Sequence, residues 1–290
     1  MSTVPPTRPT EDLERLQALA ESGAAELGWD APAEAVVDWA ARHVDLRRAA
    51  VACSMADAVL PHLVAQRMPG VDVLFLETGY HFTETLATRD EVARRLDVTV
   101  VDVLPELTVA EQDERHGKDL FARDPGLCCA MRKVEPLNRA LAGYDLWFTG
   151  VRRDEAPTRT NTPLVGWDEA HGMVKVNPVA PWSFDDLVGY ATDHDVPVNL
   201  LLQNGYPSIG CRPRTRPDRV LADKGYPSRA NRAWLRDRRI AATIPERDDQ
   251  ISHRRKKPGR PIDFGTDQRE RYKGRNVVER CFNRRKQWRG

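Results

Sequence analysis

No run of about eighteen consecutive apolar residues occurs in this chain, which excludes an ordinary membrane-spanning helix. The N-terminus, Met1 to Glu11, is rich in Pro and Thr and lacks the apolar centre of a secretion signal, so a cytoplasmic location is expected. Cysteine is scarce. The five cysteines, Cys53, Cys128, Cys129, Cys211 and Cys281, are too few and too unevenly spaced for a disulfide-stapled secreted scaffold. Metal binding or thiol chemistry is the better question for them. No internal repeat is visible, so a repeat architecture is not expected.

Net charge is also nearly absent, at +1 from 44 basic and 43 acidic residues, but this is a cancellation. Residues 212–290 hold 25 Lys plus Arg against 10 Asp plus Glu, a net of +15, and the first 211 residues hold 19 against 33, a net of −14. Such an asymmetry suggests two origins, divided at about residues 211 and 212. The basic part has the electrostatic footprint of a weak, non-specific nucleic-acid binder, or else it is a solvated basic tail.

What is present in the acidic part is a repeating grammar. Two helices are expected over residues 10–43, the second from Ala31 to His43. Ala49 to Cys53 is a short apolar run followed by Ser54-Met55-Ala56-Asp57 and then apolar residues at helical spacing. The pattern returns at Val71 to Leu76, then Glu77-Thr78-Gly79-Tyr80, then a helix from about Thr83 to Leu96 and a strand at Val98 to Leu104. Further strands are expected at Leu146 to Gly150 and Val174 to Asn177, and a helix over Ser183 to His194 with Ser183 as its N-cap. Strands alternating with helices imply an α/β fold with a doubly wound, mostly parallel sheet. In such sheets ligands bind beyond the carboxyl ends of the strands, where the turns Ser54 to Asp57 and Glu77 to Tyr80 must lie. Beyond Cys211 the texture becomes Arg-rich, and Asp248 to Pro261 reads as an exposed loop.

Four features carry candidate chemistry. The Ser54 to Asp57 turn can hold phosphate or sulfate oxygens at a helix N-terminus, or be an ordinary cap. Adjacent Cys128 and Cys129, followed by Arg132 and Lys133, are either small buried residues or cluster ligands. Trp147 to Glu155 delivers Arg152 and Arg153 just past a strand, suited to sulfate and phosphate oxygens or to local ion pairs. Asn204 to Cys211 is a Gly- and Pro-punctuated loop placing one more thiol.

The segments Cys-Cys-Ala-Met-Arg-Lys-Val-Glu-Pro-Leu (128–137), Thr-Gly-Val-Arg-Arg-Asp-Glu (149–155), Val-Lys-Val-Asn-Pro (174–178) and Gly-Tyr-Pro-Ser-Ile-Gly-Cys (205–211) resemble the assimilatory adenylyl-sulfate (APS) and phosphoadenylyl-sulfate (PAPS) reductases over about residues 40–211. The resemblance implies an adenine-nucleotide alpha-hydrolase-like fold. It also implies substrate binding by Ser54, Asp57, Thr78, Gly79, Lys133, Arg152 and Arg153, in a cytoplasmic enzyme of sulfate assimilation. The double cysteine points to the APS-using branch, in which two Cys pairs hold a 4Fe-4S cluster. Here Cys128, Cys129 and Cys211 would be its metal ligands. In that family a cysteine of a Glu-Cys-Gly-type tail attacks the sulfate sulfur and releases AMP, and thioredoxin then frees sulfite from the S-sulfocysteine. A thiolate nucleophile of this kind needs a nearby positive field.

The chain departs from this pattern where the chemistry is most demanding. Arg214 stands where the family has its fourth cluster cysteine, no Glu-Cys-Gly tail follows, and Glu77 replaces a more usual Asp. Three ligands of four make a stable cluster doubtful, and no catalytic cysteine is assigned. Residues 212–290, a small, basic and partly helical fragment, instead resemble DDE insertion-sequence transposases. Asp223 corresponds to the second catalytic aspartate, and Tyr272, Arg275, Glu279 and Lys286 follow the signature spacing, with Glu279 as the third carboxylate. The first aspartate has no counterpart, so both acidic residues are vestigial, because two-metal cleavage needs the full carboxylate set. Two domains are therefore expected: a truncated sulfonucleotide reductase domain (1–211) and a transposase-derived fragment (212–290). The expected function is an impaired adenylyl-sulfate reductase. The alternative is a catalytically dead nucleotide-binding chimera whose transposase remnant sticks to nucleic acid.

Overall fold

The computed structural model describes residues 8–204, 206, 209–212, 219–221, 233, 236 and 241–243. The expected loop at Asp248 to Pro261 and the residues Arg214, Asp223, Tyr272, Arg275, Glu279, Cys281 and Lys286 lie outside the described residues. Two compact units are found, Met1–Asn199 with Gly210–Arg214, and Leu200–Ile209 with Thr215–Gly290.

The first unit is built on a six-stranded sheet: β1 (Ala49–Ala52), β2 (Val71–Leu76), β3 (Val98–Val103), β4 (Leu146–Thr149), β5 (Val165–Asp168) and β6 (Met173–Val176). Its spatial order is β3-β2-β1-β4-β6-β5, and every pairing is parallel except β5 with β6. This is the doubly wound, mostly parallel sheet that the sequence predicts. Ala49, Ala50 and Val51 of β1 are fully buried, as befits a central strand covered on both faces. Helices α1 (Thr10–Leu27), α2 (Ala33–His43), α3 (Val59–Ala65) and α4 (Thr83–Arg95) cover the sheet together with the later helices. The larger core joins Leu16 and Trp39 of the first two helices to Phe75 and Phe148 of the strands. A smaller one, on β1, β2 and β4, includes Ala50, Leu74, Leu141 and Trp147.

Four short helices absent from the sequence reading fill residues 109–141: α5 (Val109–His116), α6 (Leu120–Arg123), α7 (Pro125–Cys129) and α8 (Glu135–Leu141). A π-turn, Ala130–Val134, joins the last two. Its cause is local. Pro136 has no N–H to give to the carbonyl one α-turn earlier, so the helix widens there. Helix α9 (Phe184–Asp193) starts as expected from Ser183, which forms a reciprocal capping box with Asp186.

The start of the chain is pinned by one carboxylate. Asp145, at the foot of β4, pairs with Arg8, Arg15 and Arg48, and its backbone N–H donates to the Arg48 carbonyl at 2.7 Å. Burial alone would raise the Asp145 carboxyl, but the hydrogen bonds and charges of Arg48 and Arg8 outweigh it and hold the group below its ordinary value. No described helix is long and apolar enough to cross a membrane. In the second unit the described elements are α10 (Leu200–Gln203) and a parallel pair, β7 (Arg219–Leu221) with β8 (Ala241–Thr243).

Candidate active site

The chain runs outward from β1 to β2 and β3 on one side, then crosses back to β4 on the other, so the strand order reverses between β1 and β4. A crevice at such a reversal, beyond the carboxyl ends of the strands, is where open α/β sheets bind ligands. Three sequence-predicted segments emerge at that edge: Ser54 to Asp57 after β1, Glu77 to Tyr80 after β2, and Arg152-Arg153 after β4.

The turn after β1 is held from behind. Met55 lies in the left-handed region at φ 58° and is fully buried, and its carbonyl accepts a hydrogen bond from the Asn199 side-chain amide at 3.1 Å. The Asn199 backbone N–H donates to the Ala56 carbonyl at 3.0 Å, and Asp57 bridges to Val198. Ser54 is exposed. Asp57 is half-buried and accepts from the Val59 N–H, the first of α3, at 3.0 Å. Burial raises its carboxyl above the ordinary value, while the Val59 N–H and the Arg152 charge pull the other way. Cys53 is packed beneath, its thiol pushed up to about 12 by burial first and by the Asp57 charge second. That setting disfavours its thiolate, the reactive form.

The turn after β2 is a tight one. Gly79 has φ +72°, and its N–H donates to the Glu77 carboxylate at 2.7 Å. Glu77 thus caps the turn from its own start. Thr78 is buried, and its hydroxyl receives the Tyr80 N–H at 3.3 Å and the Cys211 thiol at 3.5 Å. Arg212 donates its N–H to the Tyr80 carbonyl at 2.7 Å, so the segment carrying Cys211 is laid along this turn.

Cys128 and Cys129 end α7, whose start is fixed by Asp124, accepting from the Leu127 N–H at 2.9 Å, with Pro125 in the first turn. Cys128 is buried at the end of α7, and the Tyr80 hydroxyl is raised chiefly by burial and by Asp113. The structure sets Cys211 on the turn after β2, while Cys128 and Cys129 stand side by side at the end of α7. No group of three His, Cys, Asp or Glu side chains among the described residues lies close enough to hold one metal ion. Cys128, Cys129 and Cys211 are three thiols where a 4Fe-4S cluster takes four ligands, so the described residues do not fit one.

Of the two expected arginines, Arg152 is buried. It pairs with Asp154 at 3.2 Å and Glu155 at 3.5 Å, and lies over the Phe184 ring at 5.7 Å. Arg153 turns away to the α1–α2 connection: it stacks on Trp29 at 3.7 Å, pairs with Asp30 at 2.9 Å and donates to the carbonyls of Trp29 and Thr162. Lys133 is half-buried in the π-turn, and its ammonium forms no hydrogen bond or ion pair with the other described residues. Beside it sits Arg132, which the sequence reading did not select. It is buried, and donates to the carbonyls of Thr78 and Leu107 and to the Gln112 side chain. Only the wide helical turn implied by Pro136 hinted that this basic residue is the internal one.

Residues 48–217 match the profile of the phosphoadenosine phosphosulfate reductase domain. An adenosine 5'-phosphosulfate reductase of Mycobacteroides abscessus is 56% identical over 206 residues, 71% of this chain and 86% of that protein. The chain belongs to this family. A relative of the same name from Streptomyces coelicolor is 52% identical over 232 residues, covering 80% of this chain and 94% of the relative. Among solved structures, phosphoadenylyl-sulfate (PAPS) reductase from Candida auris superposes with a TM-score of 0.57 at 24% identity, over 72% of this chain and 98% of that one, and so shares the family's sheet architecture. The profile of the transposase DDE domain matches residues 187–290, overlapping the reductase match from 187 to 217.

Proposed function

We propose that this chain is an adenylyl-sulfate reductase by descent, an oxidoreductase of the sulfur group, that keeps its nucleotide site and has lost most of its turnover. The observation that carries the reading is the emergence of the turns after β1 and β2 and of Arg152 beside the strand-order reversal, in a chain more than half identical, over the 206 and 232 residues aligned, to proteins named for that activity. Ser54, Asp57, Thr78, Gly79, Lys133 and Arg152 form the proposed substrate site. Arg153 supports it indirectly, by fixing the segment after β4 to Trp29 and Asp30. Adenylyl sulfate is the proposed substrate and thioredoxin the reductant of the parental reaction.

Impairment follows from chemistry. The parental reaction needs a mobile tail thiolate to attack sulfur, and residues 212–290 contain no Glu-Cys-Gly segment; Cys53 is packed under the turn and Cys281 lies within the transposase-like signature. We place the domain junction at residues 211 and 212. The segment beyond it, at net +15, gives the chimera a weak, salt-sensitive affinity for nucleic acid.

The test uses the purified full chain with adenylyl sulfate and reduced thioredoxin. The expected result is nucleotide binding by calorimetry without sulfite release, and no stoichiometric iron or acid-labile sulfide after anaerobic purification. Sulfite formed at multiple turnovers overturns the impairment, and absence of any nucleotide binding overturns the site.

A further inference from the structure

We infer that Arg132 is a positioning residue whose un-neutralised charge supplies the positive field for the anionic half of the nucleotide, while its fork holds the Thr78 to Tyr80 turn. The inference rests on the nucleotide-site reading above and deepens it.

Arg132 is 3% exposed, yet its partners are all neutral: the Thr78 carbonyl, the Leu107 carbonyl at 3.3 Å, the Gln112 side-chain oxygen at 3.0 Å and the face of the Tyr80 ring at 5.4 Å. Gln112 is itself fully buried. Other well-covered arginines of this unit each have a carboxylate within salt-bridge reach: Arg8 has Asp145, Arg152 has Asp154 and Glu155, and Arg153 has Asp30. Asp113 and Glu77 lie on neighbouring segments, but neither forms an ion pair with Arg132, and Glu77 is engaged by the Gly79 N–H.

A buried guanidinium loses its hydration, and folds normally return that loss through a carboxylate. Where no carboxylate is supplied, the local field stays positive and favours an anion arriving from outside. A purely structural anchor for two carbonyls would function as well with its charge cancelled. Gln112, where a Glu of nearly the same shape would cancel it, keeps the charge open instead. The π-turn explains the delivery, because it sets Arg132 inward beneath the turn and leaves Lys133 beside it in the same basic pair.

Two variants of the full chain separate charge from anchoring, read by calorimetric titration with adenosine, AMP and adenylyl sulfate. Gln112→Glu places a carboxylate against the Arg132 fork and leaves the anchoring bonds intact. We expect its adenosine affinity to stay within about twofold of the parent, while AMP and adenylyl sulfate weaken about tenfold. Arg132→Lys keeps the charge and loses the fork. There the preference for AMP over adenosine should stay within about threefold of the parent, whatever the loss common to all ligands. Unchanged AMP affinity in Gln112→Glu, or a collapse of the AMP preference in Arg132→Lys, overturns the inference and leaves the site reading standing. A parent chain that binds none of the three ligands sinks the site reading itself.

Discussion

Gly79→Ala tests whether the turn after β2 is built as described. Two costs add. At φ +72° an alanine sits in the left-handed region, where a Cβ crowds the backbone for about 1 kcal/mol. The new Cβ would also lie 2.7 Å from Cγ2 of Val109 and 3.1 Å from Nη2 of Arg132. Val109 opens α5 and is stiff at its β-branch, and Arg132 is buried, so neither yields freely; overpacking of this kind costs about 1–3 kcal/mol. The expected sum is about 3 kcal/mol, which lowers the thermal midpoint by roughly 10 °C for a unit of this size. The assay is thermal denaturation followed by tryptophan fluorescence. Gly143→Ala serves as the control, because a Cβ there meets nothing within 4 Å and its φ lies outside the left-handed range. A Gly79→Ala midpoint no lower than that of Gly143→Ala would refute the reasoning.

The Asp145 clamp gives a pH prediction. Because the folded carboxyl is held below its ordinary value, its contribution is complete above about pH 4 and is lost as pH falls through the folded value. Asp145→Asn should cost about 2 kcal/mol at neutral pH, discounted for the exposure of Arg15 and Arg48, and the gap to the parent should close towards pH 2. A gap in midpoint that persists undiminished at the lowest pH at which the parent still folds would contradict this. Cys53, with its thiol near 12, holds only about one thiolate in ten thousand at pH 8, so iodoacetamide should leave it unlabelled in the native protein. Labelling of Cys53 as fast as in urea, read by peptide mass spectrometry, would show that the packing around it is wrong.

Much of the scaffold was legible in the chain because buried parallel strands are written as apolar runs closed by polar turns. Val71–Leu76 falls where that rule places it, three other foreseen strands end one residue earlier than expected, and the one foreseen at Val174 to Asn177 lies one residue earlier, at Met173–Val176. The edge strand Val165–Asp168 escaped because four residues containing a glycine, a tryptophan and an aspartate carry no alternation to read. The helices over 109–141 escaped for a related reason: α6 and α7 are only four and five residues long, and their boundaries are set by capping and by Pro136 rather than by periodicity. That Ser54, Asp57, Thr78, Gly79 and Arg152 lie just past the carboxyl ends of β1, β2 and β4 was readable from the apolar runs and the turns that close them. The distinct settings of Arg132 and Lys133 were not, since two adjacent basic residues look alike until the pitch of their helix is known. Nor could sequence say that the Arg153 fork would be taken up by Trp29, more than a hundred residues earlier.

All six strands of the main sheet are complete by Val176, and the segment that braces the turn after β1 is complete by Asn199. Among the described residues, none beyond Asn199 contributes a strand to that sheet. Sequence changed beyond that point leaves every strand of this sheet encoded, so its effect falls on what the sheet carries and not on the sheet itself.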